Sequence, residues 1–265
     1  EAAVMKALKE ADGAAAPGVT GLRMGWLKQV VASDGAPKGT KGSPCGGVDR
    51  HSVMRTLAMW VDGLLAGGAP GLSSTVRLRL IPKPGKDGAR PIGIGEPIVT
   101  LAKKVAANAL SLTTERWLGE KGQWGVGVAD GCRVLAGAIS GFWDDGWTVV
   151  GLDVKNAFNT VHRRAVVDVV RSLDGDLAPF VAFALRPTTM IGDGGTLVVD
   201  RGVVQGDPMS PLLFALVMGS VVEKVVKRCG DRGVRVGVLV PGDVQRVRRD
   251  AQRGEVDAVM GWYAD

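Results

Sequence analysis

The sequence has few of the side chains that build disulfide frameworks and zinc sites. Its 265 residues include 3 cysteines, with no CxxC pair, and 2 histidines. This composition excludes a disulfide scaffold, offers no zinc pattern and predicts a reducing compartment. Long apolar runs are missing too: the longest, PLLFALVMGSVV, ends at Glu223 and Lys224 and is too short to cross a bilayer. Without a signal-peptide pattern at the N-terminus, we expect a protein that is neither secreted nor membrane-embedded.

What the sequence does contain is apolar material and positive charge. Hydrophobic residues make up 46% of the chain, which is enough for a substantial core. Lysine and arginine total 33 against 27 acidic residues, so the formal net charge of +6 fits a polyanionic partner without establishing one. The first residue is Glu1 rather than Met, and we therefore expect a piece of a longer open reading frame.

Apolar residues at helical and at alternating spacing predict a mixture of helices and strands. Helices are predicted at 21–31, 51–65, 98–118, from about 163, and at 211–230. Strands are predicted in a basic hairpin at 75–94, at 147–154 (WTVVGLDV), in a hairpin at 188–199 and at 233–240. The side chains expected to face inward include Trp26, Trp60, Leu101, Val105 and Leu110, whereas Lys103 is expected to face outward. Because helices and strands do not alternate strictly, the pattern favours the α+β class.

Two stretches place polar side chains where chemistry needs them. Asp153 stands where the predicted buried strand TVVGLDV ends, a rigid position suited to a metal ligand. Alternatively, this aspartate caps the turn that follows. The second stretch, GVVQGDPMSPLLF, sets Gln205 beside a Gly-Asp-Pro turn just before a helix with proline in its first turn. Turn formation alone would also explain much of that stretch.

The final stretch, WYAD, supplies a second carboxylate after an apolar lead, and Tyr263 is the only tyrosine in the chain. On neighbouring strands, Asp153 and Asp265 can hold Mg²⁺ ions about 3.5 to 4 Å apart, the arrangement that serves phosphoryl transfer. The predicted hairpin offers three cations for a triphosphate: Lys83, Lys86 and Arg90. Taken alone, these cations would be interpreted as a solvated hairpin face.

Taken in order, these stretches resemble the motifs of reverse transcriptases, closest in style to those of non-LTR retrotransposons and related to the group II intron type. They are RLIPKPGKDGARPI, GLDVKNAF, GVVQGDPMSPLLF and the final YAD. Two further stretches agree: APGVTGLRMGWLK resembles the APGxxG segment that precedes the fingers, and QWGVGVADG resembles the family's Q-x-G-V-G stretch. The resemblance covers residues 16 to 265. A lone YAD carries no weight, whereas several motifs in this order are specific.

The resemblance implies roles for particular residues. The catalytic pair is Asp153 and Asp265, with the backbone carbonyl of Val154 as a further metal ligand. Phe158 matches the steric gate, whose ring collides with a ribose 2′-OH and so selects deoxynucleotides. The remaining matches are Lys83, Arg90, Gln205 and Gly206 for the nucleotide, and Arg77, Arg79 and Lys86 for nucleic acid. The implied cofactor is Mg²⁺, for which Mn²⁺ can substitute; the implied partners are an RNA template, a DNA primer and deoxynucleoside triphosphates.

The resemblance also implies an architecture. It predicts an N-terminal extension at 1–50, fingers at 51–146 and a palm at 147–265, with an antiparallel palm sheet flanked by helices and no thumb. The family's Y-x-D-D motif has a second aspartate directly after the first, and the sequence stops at Asp265. We therefore expect this polypeptide by itself to be a weak or inactive polymerase. A nuclear or cytoplasmic location, without membrane contact, is the corresponding expectation.

Two other functions stay open at this point. A decayed or domesticated copy would hold nucleic acid without synthesis, although the joint presence of Asp153, Phe158, Gln205 and Asp265 argues against long decay. RNA-templated RNA synthesis is disfavoured because Phe158 occupies the gate position. The sequence leaves the oligomeric state and any flanking domains undetermined, and it assigns no role to the basic segment 242–255.

Overall fold

The computed structural model of the chain describes residues 1–32, 50–67, 74–85 and 87–263, so that Lys86 and Asp265 lie outside the described residues. The helices are α1 (Ala2–Glu10), α2 (Met24–Ala32), α3 (Arg50–Leu65), α4 (Pro97–Glu120), α5 (Gly131–Asp144), α6 (Ala157–Thr160), α7 (Arg163–Leu173), α8 (Ala178–Ala184), α9 (Ser210–Gly230) and α10 (Val244–Gln252). The strands are β1 (Thr75–Pro82), β2 (Ala89–Gly95), β3 (Thr188–Gly192), β4 (Gly195–Val199), β5 (Val236–Val238) and β6 (Ala258–Met260).

The strands form two sheets. In the larger, of order β2-β1-β3-β4, β1 pairs antiparallel with β2 and parallel with β3, and β3 pairs antiparallel with β4. In the smaller sheet, β5 and β6 pair in parallel, and helix α10 connects them along the chain. This mixture of helices and strands agrees with the predicted α+β class. Among the described residues the larger sheet is mixed and the smaller is parallel, so neither is the fully antiparallel palm sheet that was predicted. The division into fingers and palm stays a prediction.

Three hydrophobic clusters hold these elements together. The first packs the second half of α4 against α7, α8 and α9, around the fully buried Val166, Val181 and Leu216. The second packs α1, α2 and α3 on the first half of α4, with Val61 fully buried. The third joins Trp124 to α5, α10 and the end of β5. Because α4 contributes to two of the three clusters, it connects the first cluster to the second.

Most predicted elements are confirmed, but several predicted faces are wrong. Both hairpins and the five predicted helices are present, and no helix in the described ranges is long and apolar enough to span a membrane. Leu101 and Leu110 are buried as expected, whereas Trp26 and Trp60 are 52% and 54% exposed. Lys103, predicted to face solvent, is buried. Lys103 is buried because α1, α3 and α9 all pack on α4, so that more than one side of this helix faces the interior.

The predicted strand at 147–154 is wrong for the described structure. These residues have no regular secondary structure, and positions 148–154 make no hydrogen bond to any other described residue. Their apolar side chains face solvent, with Val150 76% and Leu152 91% exposed. A strand exists only through hydrogen bonds to a neighbouring strand, so its β-branched composition does not form one by itself.

Candidate functional site

The β1–β2 hairpin presents a basic face. Directly paired residues of antiparallel strands share a face, and the register pairs Arg77 with Ile94, Arg79 with Ile92 and Ile81 with Arg90. Because side chains alternate along a strand, Arg77, Arg79 and Arg90 all lie on one side of the hairpin. Arg79 also donates to Asp193 of the neighbouring β3–β4 turn at 3.3 Å. Three of the predicted cations are thus brought onto one surface.

Lys83 lies at the hairpin turn rather than on a strand. Its backbone N–H donates to the carbonyl of Gly88 at 3.2 Å, which closes the turn. The Lys83 side chain is half-buried, while Arg90 is exposed two positions beyond Gly88. The turn therefore brings these two predicted triphosphate contacts to the same end of the hairpin.

The loop at 203–210 docks on the free edge of β2. The Gly93 N–H donates to the Gln205 carbonyl at 2.8 Å, adding the loop to the outer side of the strand. The approach is close: a Cβ on Gly93 would lie 2.4 Å from Val204 Cγ1, and one on Gly206 would lie 2.8 Å from the Gly93 carbonyl oxygen. Gly206 also has φ +99, a conformation that favours glycine. Glycine at both positions allows the loop and the hairpin to touch.

A buried ion pair anchors the same loop from beneath. The Lys103 ammonium on α4 contacts the Asp207 carboxylate, and their side chains are only 10% and 13% exposed. The other Asp207 oxygen accepts the Met209 N–H at 2.9 Å, and the Ser210 hydroxyl donates to the Val204 carbonyl at 2.7 Å. The loop is thereby fixed to α4 and to the start of α9 as well as to β2.

Phe158 is joined to this loop through the backbone. The Val203 N–H donates to the Phe158 carbonyl at 2.8 Å. The phenyl ring is half-buried against Phe214 of α9, with centroids 5.2 Å apart. Asn156, at φ 53, turns the chain sharply so that the short helix α6 can carry Phe158 to this position. The structure therefore brings Phe158, Gln205, Gly206 and the hairpin together.

Arg163 supports the same region and was not singled out by the sequence. Its guanidinium donates to the carbonyls of Gly202 at 2.8 Å, Arg186 at 2.7 Å and Leu185 at 3.2 Å. Burial lowers the pKa of Arg163, and the charge of Asp200 acts in the opposite direction. Arginines are so common in this sequence that one at a helix start carried no distinguishing signal.

Asp153 is the predicted site residue that stands apart. It is exposed, and no hydrogen bond or ion pair joins it to the other described residues. The described residues contain no group of three or more His, Cys, Asp or Glu side chains arranged for a metal ion. A free carboxylate next to the backbone carbonyl of Val154 offers the oxygen ligands that Mg²⁺ prefers. The donor type fits, while the second predicted carboxylate, Asp265, lies outside the described residues.

The segment that leads to the final YAD is held by the loop after α4. Trp262 N–H donates to the Gly122 carbonyl at 3.1 Å, and its indole N–H donates to the Lys121 carbonyl at 2.8 Å. In the preceding β5–β6 unit, hydrogen bonds from Arg235 lower the pKa of Asp257 to about 2. Tyr263, exposed at 44%, thus follows a well-anchored segment.

Sequence reasoning missed the pairing of Lys103 with Asp207. A signal was present: Val99, Lys103, Ala106 and Leu110 follow the i, i+4, i+7, i+11 spacing of one helix face. Three of these four are apolar and buried, so the cation on that face needed an internal carboxylate. The Gly-Asp-Pro turn supplied the candidate partner.

The chain is similar to polyproteins of mobile elements. It is 31% identical over 170 residues to the retrovirus-related Pol polyprotein from type-1 retrotransposable element R2 of Popillia japonica, covering 58% of this chain and 24% of that protein. The same polyprotein of Nasonia vitripennis is 30% identical over 186 residues, covering 63% of this chain and 18% of its own length. The type-2 element R2DM of Drosophila melanogaster is 33% identical over 90 residues, 31% of this chain and 8% of that protein.

These matches cover part of the chain and a smaller part of each relative. No protein-family model matches the chain, and it spans about a quarter or less of the length of these curated relatives. The matched regions nevertheless extend over about 60% of the chain, and the motif order points the same way. The chain is similar to part of the Pol polyproteins of R2 retrotransposable elements, and this similarity supports a retrotransposon-derived, reverse transcriptase-like region.

Proposed function

We propose that this region performs RNA-directed DNA synthesis in the protein to which it belongs. The reaction is nucleotidyl transfer, which adds deoxynucleotides to a primer on an RNA template. The observation that carries the proposal is the junction at loop 203–210. This loop binds the hairpin through Gly93 and Gln205 and binds the Phe158 backbone through Val203. Residues from three distant parts of the sequence thus lie close together, which supports a shared nucleotide pocket.

In this proposal each side chain has a physical task. Arg90 and Lys83 bind the triphosphate, because guanidinium and ammonium groups compensate phosphate charge. The Gln205 amide and the Gly206 backbone contact the nucleotide and template. Phe158, held from behind by Phe214, presents a fixed ring edge that excludes a 2′-OH.

The bond changes require no nucleophilic side chain. The primer 3′-hydroxyl oxygen bonds to the α-phosphorus, the bond from that phosphorus to the bridging oxygen breaks, and pyrophosphate leaves while the hydroxyl proton passes to solvent. Mg²⁺ would be held by Asp153, the Val154 carbonyl and Asp265, and it supplies charge neutralisation at the reacting oxygens. The protein contributes orientation and positive charge.

A second candidate function is favoured by one observation. Asp153 lies on a segment without hydrogen bonds at 148–154, so the described residues do not fix its carboxylate. A catalytically inactive copy that binds nucleic acid would need the basic hairpin face but not a fixed Asp153. The two functions share a partner and differ in whether synthesis depends on this carboxylate.

Primer extension distinguishes them. A protein carrying this region in its full reading frame is given an RNA template, a labelled DNA primer, deoxynucleotides and Mg²⁺. We expect extension that falls by at least about a hundredfold in Asp153→Asn, because transition-state charge loses a metal ligand. We also expect Phe158→Ala to raise incorporation of ribonucleotides relative to deoxynucleotides. Template binding without extension in the unmodified protein would instead establish the binding function.

A further inference from the structure

Helix α10 occupies the basic segment 242–255 and is rigidly docked by its apolar face. Val247 and Ala251 are buried in the cluster that also contains Leu135, Phe142 and Leu239. The two ends of α10 connect to β5 and β6, which pair in parallel. A helix held on one face and at both ends presents its other face to solvent in a fixed orientation.

Three arginines line that solvent face. Arg246 and Arg249 lie on α10, and Arg253 is the residue that directly follows it. The three follow the i, i+3, i+7 spacing of one helix side, and all three are exposed. With a rise of 1.5 Å per residue they extend over about 10 Å. We call these three residues the arginine face of α10.

The arginine face is incompletely neutralised by the protein. Arg246 contacts Asp243 and Asp250. The side chains of Arg249 and Arg253 have no hydrogen bond or ion pair among the described residues. Several exposed arginines on other helices are paired: Arg116 with Glu120, and Arg164 and Arg171 with Asp168. Single arginines on α3 and α9, Arg55 and Arg228, are exposed without such a partner among the described residues. What distinguishes α10 is that two unpaired arginine side chains stand beside a third arginine on one side of a docked helix.

The position of α10 ties this face to the candidate site. Arg248, on the flank of the helix, donates to both oxygens of Asp145 at 2.6 and 2.7 Å. Asp145 immediately follows α5 and begins the stretch that leads to Asp153. From its other end, α10 passes into β6 and then to Trp262 and Tyr263. Helix α10, which carries the arginine face, thus contacts the start of the stretch that leads to Asp153. Along the chain it is followed by β6 and by the stretch that leads to Asp265.

We propose that the arginine face of α10 binds consecutive phosphates of a nucleic-acid strand. This inference rests on the proposed function and adds a contact surface outside the predicted site residues. A single strand advances about 3.4 Å per phosphate along a helix axis, so about 10 Å of helix spans about three phosphates. Guanidinium groups bind phosphate oxygens in a bidentate manner. The shared ligand chemistry is the phosphate backbone, whether it comes from RNA or from DNA.

The test measures the affinity of the chain for labelled single-stranded RNA and DNA of the same sequence at several salt concentrations. The test variant is Arg249→Gln/Arg253→Gln, which removes the two unpaired charges. The control, Arg164→Gln/Arg171→Gln on α7, removes the same net charge from another exposed surface. Thermal unfolding confirms that both variants fold.

We expect the α10 variant to bind about tenfold more weakly and its log–log salt slope to fall by about 1.4, since each phosphate contact on a single strand contributes about 0.7. The control should change by less than about twofold, and Arg249→Lys/Arg253→Lys should keep most of the slope. Equal losses for RNA and DNA support the backbone of either strand as ligand, and a loss confined to RNA identifies the RNA strand.

Equal effects in the α10 and control variants would overturn the inference, as would no binding by the unmodified chain. These failures are distinguishable from failure of the proposed function. If primer extension depends on Asp153 but the α10 variant binds nucleic acid as tightly as the unmodified chain, only the proposal for the arginine face is refuted. Loss of both extension and binding in the unmodified protein removes both proposals.

Discussion

Loop 203–210 and segment 147–156 carry different parts of the motif pattern, and the protein holds them very differently. The loop is fixed by the Gly93–Gln205 hydrogen bond of 2.8 Å and by the buried Lys103–Asp207 pair. The segment has no hydrogen bonds at 148–154 to any other residue that the structure describes, and its Leu152 is 91% exposed. Both stretches match the family in sequence, so motif identity alone does not determine how firmly a residue is positioned.

The contrast follows from what each stretch requires. A tight loop can be fixed by a few close contacts with elements that are already folded, and two glycines make room for them. A strand instead needs a neighbouring backbone along its length. Among the described residues no strand lies beside 147–154, and its apolar side chains stay exposed. The loop is thus firmly positioned by other described residues, and the Asp153 segment is not.

Removing one partner of the buried pair should give the largest effect. Lys103→Met leaves the Asp207 carboxylate without a counter-charge at a position where its side chain is 13% exposed. Breaking such a pair costs about 3–5 kcal/mol, because one charge stays buried and uncompensated. We expect urea unfolding to show a loss of this size, with faster hydrogen exchange at the Gly93 amide.

The double variant Lys103→Met/Asp207→Asn is the matched control. It removes both charges and keeps an oxygen that can accept the Met209 N–H. Much of the lost stability should return, as expected when a buried pair is replaced as a unit. A loss below about 1 kcal/mol in the single variant would mean that the pair is solvated and the loop is not anchored by it.

Adding a methyl group at Gly206 should have the next largest effect. Gly206→Ala combines strain at φ +99 with a Cβ placed 2.8 Å from the Gly93 carbonyl oxygen. Gly242→Ala is a close control, since Gly242 has φ +88 and nothing within 4 Å of its Cβ position. We expect about 1–2 kcal/mol from conformational strain in the control. The Gly206 variant should lose a further 1 kcal/mol, roughly, from the clash; equal losses would show that the loop does not press on β2.

The sequence predicted helices and strands better than it predicted which side chains are buried. The hairpins and helices followed from turn residues and periodicity, which depend on short stretches of chain. Gln205 and Gly206 could be singled out because their motif is local, and their role at a nucleotide stays a prediction. The burial of Lys103 depends on the packing of several elements around α4. The prediction assumed that only one side of this helix faces the interior, and it therefore placed Lys103 in solvent. Asp153 was predicted at the end of a buried strand because apolar residues precede it, whereas burial depends on neighbours that composition does not specify.

Leucine truncation in the exposed segment should have the smallest effect. Leu152→Ala removes a side chain that is 91% exposed, and surface substitutions of this kind change stability by about 0.5 kcal/mol or less. The comparison variant is Leu213→Ala next to the loop, where the side chain is 2% exposed and the cost should be about 2–5 kcal/mol. Both are measured by urea unfolding of the same chain. If Leu152→Ala instead costs more than about 1 kcal/mol, the Asp153 segment is packed in solution, and the contrast between a fixed loop and an unsupported segment is wrong.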